Sequence, residues 1–293
     1  MSRTKPRVVQ SNLSASQSVP AIPLVSIEAT RGWLSLGLEE LWPYRELLYF
    51  LIWRDIKVRY KQTAIGAGWA IFQPMMTVLI FTAVFRNIGN VSSEGFPYPI
   101  FALAALLPWN LFSGALSRSS VSVVAESNLI SKVYFPRLIV PLSATMSGLL
   151  DFCIAFVLLL GMMWWYSIAP TFRILMLPVF LSLALTTAFA LGLWLSAINV
   201  RYRDVGHAIP FLVQMWLFAS PVAYSVREIP EKWRLLYSLN PLAGVVEGFR
   251  WALLGLERPD FRVIATSAAV VLVLLFTGIV HFKRMEQTFA DIV

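Results

Sequence analysis

Six runs of predominantly apolar residues, 67–85, 99–116, 138–166, 174–200, 205–222 and 263–282, divide this chain of 293 residues. A helix needs about 20 such residues to cross the ~30 Å hydrocarbon core of a bilayer. The expected fold is therefore an all-α integral membrane protein with six transmembrane helices. Composition agrees, because a mean hydropathy of +0.69 with only 14% charged residues is too apolar for a soluble globular domain of this length. The single cysteine, Cys153, lies inside an apolar run, which leaves no disulfide framework and no thiolate metal site. A net charge of +8 would suit nucleic acid, but the cations cluster beside the spans, where they set topology and meet anionic headgroups. Membrane lipid, not nucleic acid, is the expected partner of that charge.

Residues 1–42 are expected to form a cytoplasmic tail, disordered over 1–20, since the basic start lacks the continuous apolar core and small-residue cleavage site of a secretory signal. A short alternation at 25–29 and a break at Gly32 suit a segment packed at the membrane surface. In residues 43–66 the helical wheel puts Tyr49, Ile52, Trp53, Ile56 and Tyr60 on one face and Arg54, Lys57 and Lys61 on the other. That pattern predicts an amphipathic helix lying in the interface plane. Residues 67–293 form the transmembrane domain. Cations flank its spans at 54–61, 118–137, 201–203 and 283–284, whereas the first outer loop holds Arg86 with Glu94 and the second only Arg173. The positive-inside rule predicts both termini in the cytoplasm.

The outer stretch SPVAYSVREIPEKWRLLYSLNPLAGVVEGFRWALLG alternates charged and apolar groups too often for another span. A bent pair of half-helices over about residues 224–260 fits better, with Asn240 capping the second and Pro241 in its first turn. Non-helical backbone at membrane depth is tolerated only against protein or a water-filled cavity, so a re-entrant hairpin there implies a pathway beneath it. Catalytic motifs are missing: no G-x-x-x-x-G-K-[ST] loop occurs, and His207 and His281 form no metal-ligand pattern. On the cytoplasmic side, ESNLISKVYFPRLIVP and the preceding SRSSVSVVA can form a short amphipathic helix, with Pro136 forcing a new start. Read from physics alone, that stretch is equally a connecting loop or a docking surface.

Three strings, RDIKVRYKQTAIGAGWAIFQPM, NLISKVYFPRLIVP and SPVAYSVREIPEKWRLLYSLNPLAGVVEGFR, resemble in sequence and order those of type 2 ABC transporter permeases that export polysaccharides and polyol phosphates. O-antigen, capsule and teichoic acid exporters belong to that family. The resemblance runs from Gly32 to the C-terminus, and the long N-terminal tail is the main departure. It implies six spans, an interface helix, a coupling helix at about 118–135 and an outer re-entrant hairpin. It further implies a homodimer working with two copies of a separate ABC ATPase, which would bind ATP and Mg; this chain itself would hold no cofactor. Glu126, Ser127, Asn128, Leu129 and Ile130 would belong to the coupling helix. A lipid-linked glycan would be the cargo, and the inner membrane of a bacterium the location.

Within that architecture His207, Phe211, Gln214 and Phe218 recur at helical spacing in the fifth span, mixing aromatic with hydrogen-bonding groups. Pyranose rings stack their C–H faces on aromatics while their hydroxyls need donors and acceptors, so this stripe is the expected channel lining. Phe81 and Phe85 of the first span, with Trp109, Asn110 and Ser113 of the second, would extend it; helix packing explains any one of these residues equally well. Trp164, Trp165 and Tyr166 read as an interfacial aromatic belt. Arg59, Lys61, Arg201 and Arg203 lie at headgroup depth as candidates for a lipid pyrophosphate. Asp151 falls inside the third span, where an ionised acid costs about 2.5–3.5 kcal/mol. It is expected to be neutral or paired, and the sequence shows no matching intramembrane base. The other classes considered are an exporter of a smaller lipid or drug and a membrane glycosyl transferase. An enzyme would need clustered acids or bases, and Asp55, Glu126, Asp204 and Glu247 are dispersed along the chain.

Overall fold

A computed structural model describes residues 39–61, 66–256 and 260–292, and all regular elements among them are helices. The predicted tail, apart from residues 39–42, lies outside the described residues. Helix α1 (Arg45–Lys61) follows a 3-10 turn, and α2 (Trp69–Phe81) continues as a π-helical segment over Thr82–Ile88. Next come α3 (Tyr98–Ala125), the six-residue α4 (Ser127–Lys132), α5 (Ile139–Met146) and α6 (Leu149–Trp165). The chain continues through α7 (Leu177–Arg201) and α8 (Asp204–Phe218) to the hairpin helices α9 (Glu231–Tyr237) and α10 (Pro241–Leu254), and closes with α11 (Phe261–Ile292).

Five helical segments among the described residues are long and apolar enough to cross a bilayer: Trp69–Ile88, Tyr98–Ala125, Ile139–Trp165, Phe172–Arg201 and Phe261–Glu286. The third combines α5 and α6, with a break at Ser147 and Gly148. The expected fifth span is different. Helix α8 has 15 residues, about 22 Å at 1.5 Å per residue, and ends in a turn where Ser220 and Pro221 follow. By length alone it falls short of the bilayer core.

Helix α3 is the axis of the molecule. Of its most apolar stretch 78% is buried, against 17% for α2, so α3 is wrapped by protein while α2 presents its surface outward. Small residues permit the wrapping: a Cβ at Gly192 of α7 would collide with Ser119 of α3, and one at Gly278 of α11 would stand 2.7 Å from the Ala190 carbonyl of α7. Without a hydrophobic drive between helices in lipid, such close approach supplies the dispersion contacts that hold a bundle together. The N-terminal end of α3 is fixed to the segment after α8, where the Tyr98 hydroxyl donates to the Ala223 carbonyl at 2.8 Å.

The hairpin follows the sequence expectation closely. Pro241 stands in the first turn of α10, and the Asn240 carboxamide oxygen accepts from the Leu242 N–H at 3.1 Å. The same oxygen accepts from Trp216 Nε1 of α8, while Asn240 Nδ2 donates to the Ala219 carbonyl and the Ser220 hydroxyl. One carboxamide therefore caps α10 and joins it to the end of α8. Gly255 ends α10 in the left-handed region, φ 72°, which a Cβ would disfavour.

Buried Arg250 is the second fastener. Its guanidinium donates to the carbonyls of Pro221, Val222 and Tyr224 at 2.7–2.9 Å and to Phe101 at 3.3 Å, and lies 3.6 Å from the Phe101 ring centroid. A buried charge is tolerable only when so fully hydrogen-bonded, and three of the four carbonyls, those of Pro221, Val222 and Tyr224, come from a non-helical segment. Arg250→Leu should cost about 3–5 kcal/mol, the range for removing one partner from a buried charged set. Thermal unfolding in detergent, with Arg250→Lys as the charge-retaining comparison, measures the loss.

Candidate functional site

The end of the bundle that carries α4 concentrates the charge. Helix α3 runs unbroken to Ala125, so residues 118–125, expected in a separate coupling helix, belong to the span instead. The break falls at Glu126, φ −98° and ψ 20°, and only Ser127–Lys132 forms a new helix. Glu126 is held by Arg54 of α1, whose Nη1 donates at 3.1 Å and whose Nη2 makes a second, closer bond. Arg54 also pairs with its neighbour Asp55 at 2.9 Å. Hydrogen bonding to Glu126 raises the Arg54 pKa further, so this cation is permanent.

Within α4 the expected contact residues separate into two groups. Ile130 is 8% exposed and Leu129 packs beside it in a cluster with Leu51, Phe135 and Phe282, so both anchor α4 to its own bundle. Asn128 points outward with Ser131 and Lys132. Just beyond the helix, Val133 and Tyr134 are apolar and open, Tyr134 being 73% exposed. The outward apolar groups are thus the two residues after the helix and not Leu129 and Ile130.

Helix α1 departs from its wheel for the same reason. Leu51 is buried, and Arg54, Asp55 and Arg59 turn toward the bundle, while Tyr49, Phe50 and Trp53 face outward with Lys57 and Lys61. The cations expected on a water-facing side are divided by the acids of the bundle. Arg59 pairs with Asp151 of α6 through Nη1, which also approaches the Ser147 carbonyl at 3.5 Å, while Nη2 donates to the Ser147 hydroxyl at 3.2 Å. Tyr60 donates to the second oxygen of Asp151. Burial, reinforced by that hydrogen bond, pushes the Tyr60 phenol up to about 12. The matching base for Asp151 thus comes from α1, outside the spans.

These groups open onto a cavity of about 320 Å³ between α2, α3 and α6. Asn110 and Ser113 of α3 line it, together with Trp69 and Gln73 of α2 and a further cation, Arg118 of α3. Of the pyrophosphate candidates, only Arg59 reaches it. Lys61, Arg201 and Arg203 are exposed, and Arg201 lies 5.5 Å from the Tyr202 ring. In the sequence Arg118 has the ordinary look of an end-of-span topology signal; in the structure it lies seven residues before the end of α3.

Of the expected channel lining, the α8 stripe stays together: His207, Phe211, Gln214 and Phe218 are all exposed on one helix. Phe81 and Trp109 are corrected. Both are buried in the core, Phe81 edge-on to Phe85 at 5.2 Å and Trp109 against Phe112 at 5.6 Å, and neither can line a path. Phe85 is half-buried, packed on that core. Asn110 and Ser113 line the cavity between α2, α3 and α6 instead. The aromatic belt residues Trp164 and Trp165 are exposed, as interfacial residues are.

Fold and site together define a class: an all-helical, multi-span membrane protein with a broken helix and charged cavity at one end and a fastened helical hairpin at the other. Residues 46–254 match the ABC-2 type transporter family, and the chain belongs to that family. It is 30% identical over 256 residues to an O-antigen export system permease protein of Myxococcus xanthus, covering 87% of this chain and 98% of that protein. A Klebsiella pneumoniae O-antigen export system permease protein is 25% identical over 84% of this chain and 95% of its own length. A polysialic acid transport protein of Escherichia coli is 23% identical over 81% and 92%.

The Arg59–Asp151 pair is about one-third exposed on its acid side, so solvent screening limits its worth. Arg59→Met, Asp151→Leu and the double variant should give a coupling energy of about 1 kcal/mol, stabilising in sign, in a thermal-unfolding cycle. Asp151→Asn should lose stability similarly, because its carboxamide nitrogen would oppose either the Arg59 or the Tyr60 donor.

Proposed function

We propose that this chain is the membrane permease subunit of an ATP-driven exporter that moves a polysaccharide or lipid-linked glycan out across the bacterial cytoplasmic membrane. The correspondence over nearly the whole chain with permeases of O-antigen and polysialic acid export carries the reading. The subunit acts as a homodimer with two copies of a separate ABC ATPase. Its α4 end faces the cytoplasm with both termini, and α8, extended by the chain that follows it, serves as the sixth crossing. The α8 stripe suits the cargo: its exposed aromatic and amide groups, Phe211, Gln214 and Phe218, carry no fixed charge and offer stacking faces and hydrogen bonds to a sugar chain. Disrupting the gene in its host and labelling surface polysaccharide tests the function; unchanged surface glycan would refute it.

Phe211→Ala with Phe218→Ala should leave the complex assembled and reduce glycan export more than ATPase activity, read by surface labelling beside phosphate release. Should cysteines at these positions label only from lipid, the stripe is not a path.

Docking of the ATPase rests on the outward part of the α4 region. Tyr134→Asp should weaken co-purification of the ATPase at least about tenfold, because a charge then replaces an apolar anchor. Lys132→Ala, a rim charge, should be mild. Ile130→Asp should instead lower the thermal stability of the permease itself, since Ile130 belongs to its core. Full retention of the ATPase by Tyr134→Asp would show that the segment is only a connection.

A further inference from the structure

We propose that the C-terminal end of α11 belongs to the ATPase-docking machinery, with Phe289 and Arg137 as positioning residues that hold the outward residues 131–134 in one shape. The inference rests on the export reading above, which supplies the ATPase as the partner.

Helix α11 is longer than a membrane crossing requires. Its 32 residues span about 48 Å, well beyond the ~30 Å hydrocarbon core. The apolar run closes where Lys283 and Arg284 begin, and the helix continues to Ile292. An apolar ring past those cations needs protein to cover it, and Phe289 is fully buried. It shares one buried cluster with Phe282, Leu51, Ile130, Phe135 and Leu138. Its ring stands edge-on to Phe282 at 5.4 Å, and the two, seven residues apart, occupy one face of α11.

That cluster holds both feet of the outward segment. Residues 131–134 are all exposed, whereas Ile130 before them and Phe135 after them are buried. Four outward residues are thus pinned at both ends in the cluster that Phe289 completes. The segment cannot hold its own shape: α4 has six residues, too few for a stable isolated helix, and the backbone at Val133 is extended, φ −130° and ψ 133°.

Arg137 ties the far foot to α11 directly. Its Nη1 donates to the Glu286 carbonyl, and its guanidinium carbon lies 5.9 Å from the Phe289 ring centroid, within reach of a cation–π contact. One half-buried side chain therefore joins the chain after Phe135 to two points three residues apart on the same helix. The near foot is held by other groups, Glu126 on Arg54. A docking surface of few residues depends on such pre-organisation, because ordering a loose segment on binding costs affinity. Tyr134, the most exposed large residue of the segment, is the group whose placement the two feet set.

The test titrates full-length permease in nanodiscs with the ABC ATPase subunit of the same exporter. It reads the half-saturating ATPase concentration and the maximal ATP turnover separately, with thermal unfolding of each variant followed in parallel. Phe289→Ala and Arg137→Gln should each raise the half-saturating concentration at least about fivefold, with maximal turnover within about twofold of the parent. Phe289→Leu and Arg137→Lys, which keep the apolar volume and the cation, should stay near the parent. Combined with Tyr134→Ala, Phe289→Ala should add little further loss, since both act through the same group. A merely structural role gives a lowered melting temperature with half-saturation unmoved, or losses that multiply in the double variant, and either result overturns the proposal. If Phe289→Ala does not fold, Arg137→Gln, which leaves the cluster filled, carries the same comparison. Failure of the ATPase to bind the parent overturns the export reading and this inference with it. Binding by the parent that Phe289→Ala and Arg137→Gln leave unchanged overturns the inference alone.

Discussion

An acid inside an apolar helix sets the arrangement of this whole end of the molecule. Asp151 lies in the first turn of α6, within a segment whose apolar character should carry it into the bilayer. Left alone it would be ionised in a poorly solvated place or protonated at a cost. The chain brings a base from outside the spans: α1 delivers Arg59 and Tyr60 together to the two oxygens of Asp151. Consecutive residues on a helix point about 100° apart, so both reach one carboxylate only if α1 ends directly against the α5–α6 break. Ser147 at that break accepts from both Nη1 and Nη2 of Arg59, which ties the helix end to the break with the same guanidinium.

The same helix is tied one and a half turns earlier to a second acid. Arg54 grips Glu126 at the break between α3 and α4, five residues before Arg59 grips Asp151. α1 therefore bridges two interruptions in the bundle, the corner after α3 and the corner before α6. Each pair is partly exposed and worth little by itself. Their effect is geometric, since two contacts on one rigid helix fix its angle as well as its position. Glu126, Arg54 and α1 thus connect the start of α4 to the cavity by contacts outside the core of α3.

Much of this was legible in the sequence, and what was not had specific physical causes. The hairpin was readable because a cap and a proline are local signals: Asn240 and Pro241 sit where a helix start demands them. Four of the spans were readable from run length alone, as was the first, whose helix extends through a π-helical segment. The short α8 was not, because the apolar run 205–222 continues past the residues that end the helix, and hydropathy does not register Ser220 and Pro221 as a turn. The burial of Phe81 and Trp109 escapes the sequence because periodicity gives the face of a helix but not what the face meets. Burial by a neighbouring helix is a tertiary fact. The place of Arg118 beside the cavity escapes it too, because a cation near a span end has an ordinary topological explanation.

Charge and aromaticity are distributed in a way that separates holding from passing. At the α4 end, Arg54, Arg59 and Arg118 stand against Asp55, Glu126 and Asp151, strong groups held at fixed places. Along α8 the outward groups Phe211, Gln214 and Phe218 are uncharged and exposed on one helix with His207. At the far end Arg250 and Asn240 spend their hydrogen bonds on backbone and neighbouring side chains, and so keep the hairpin rigid instead of meeting a ligand. A chain of repeating sugars moves only if no station binds it much more tightly than the next. Strong electrostatic recognition along the path is therefore incompatible with transport. The molecule keeps its arginine–carboxylate pairs off the helix that carries the stripe.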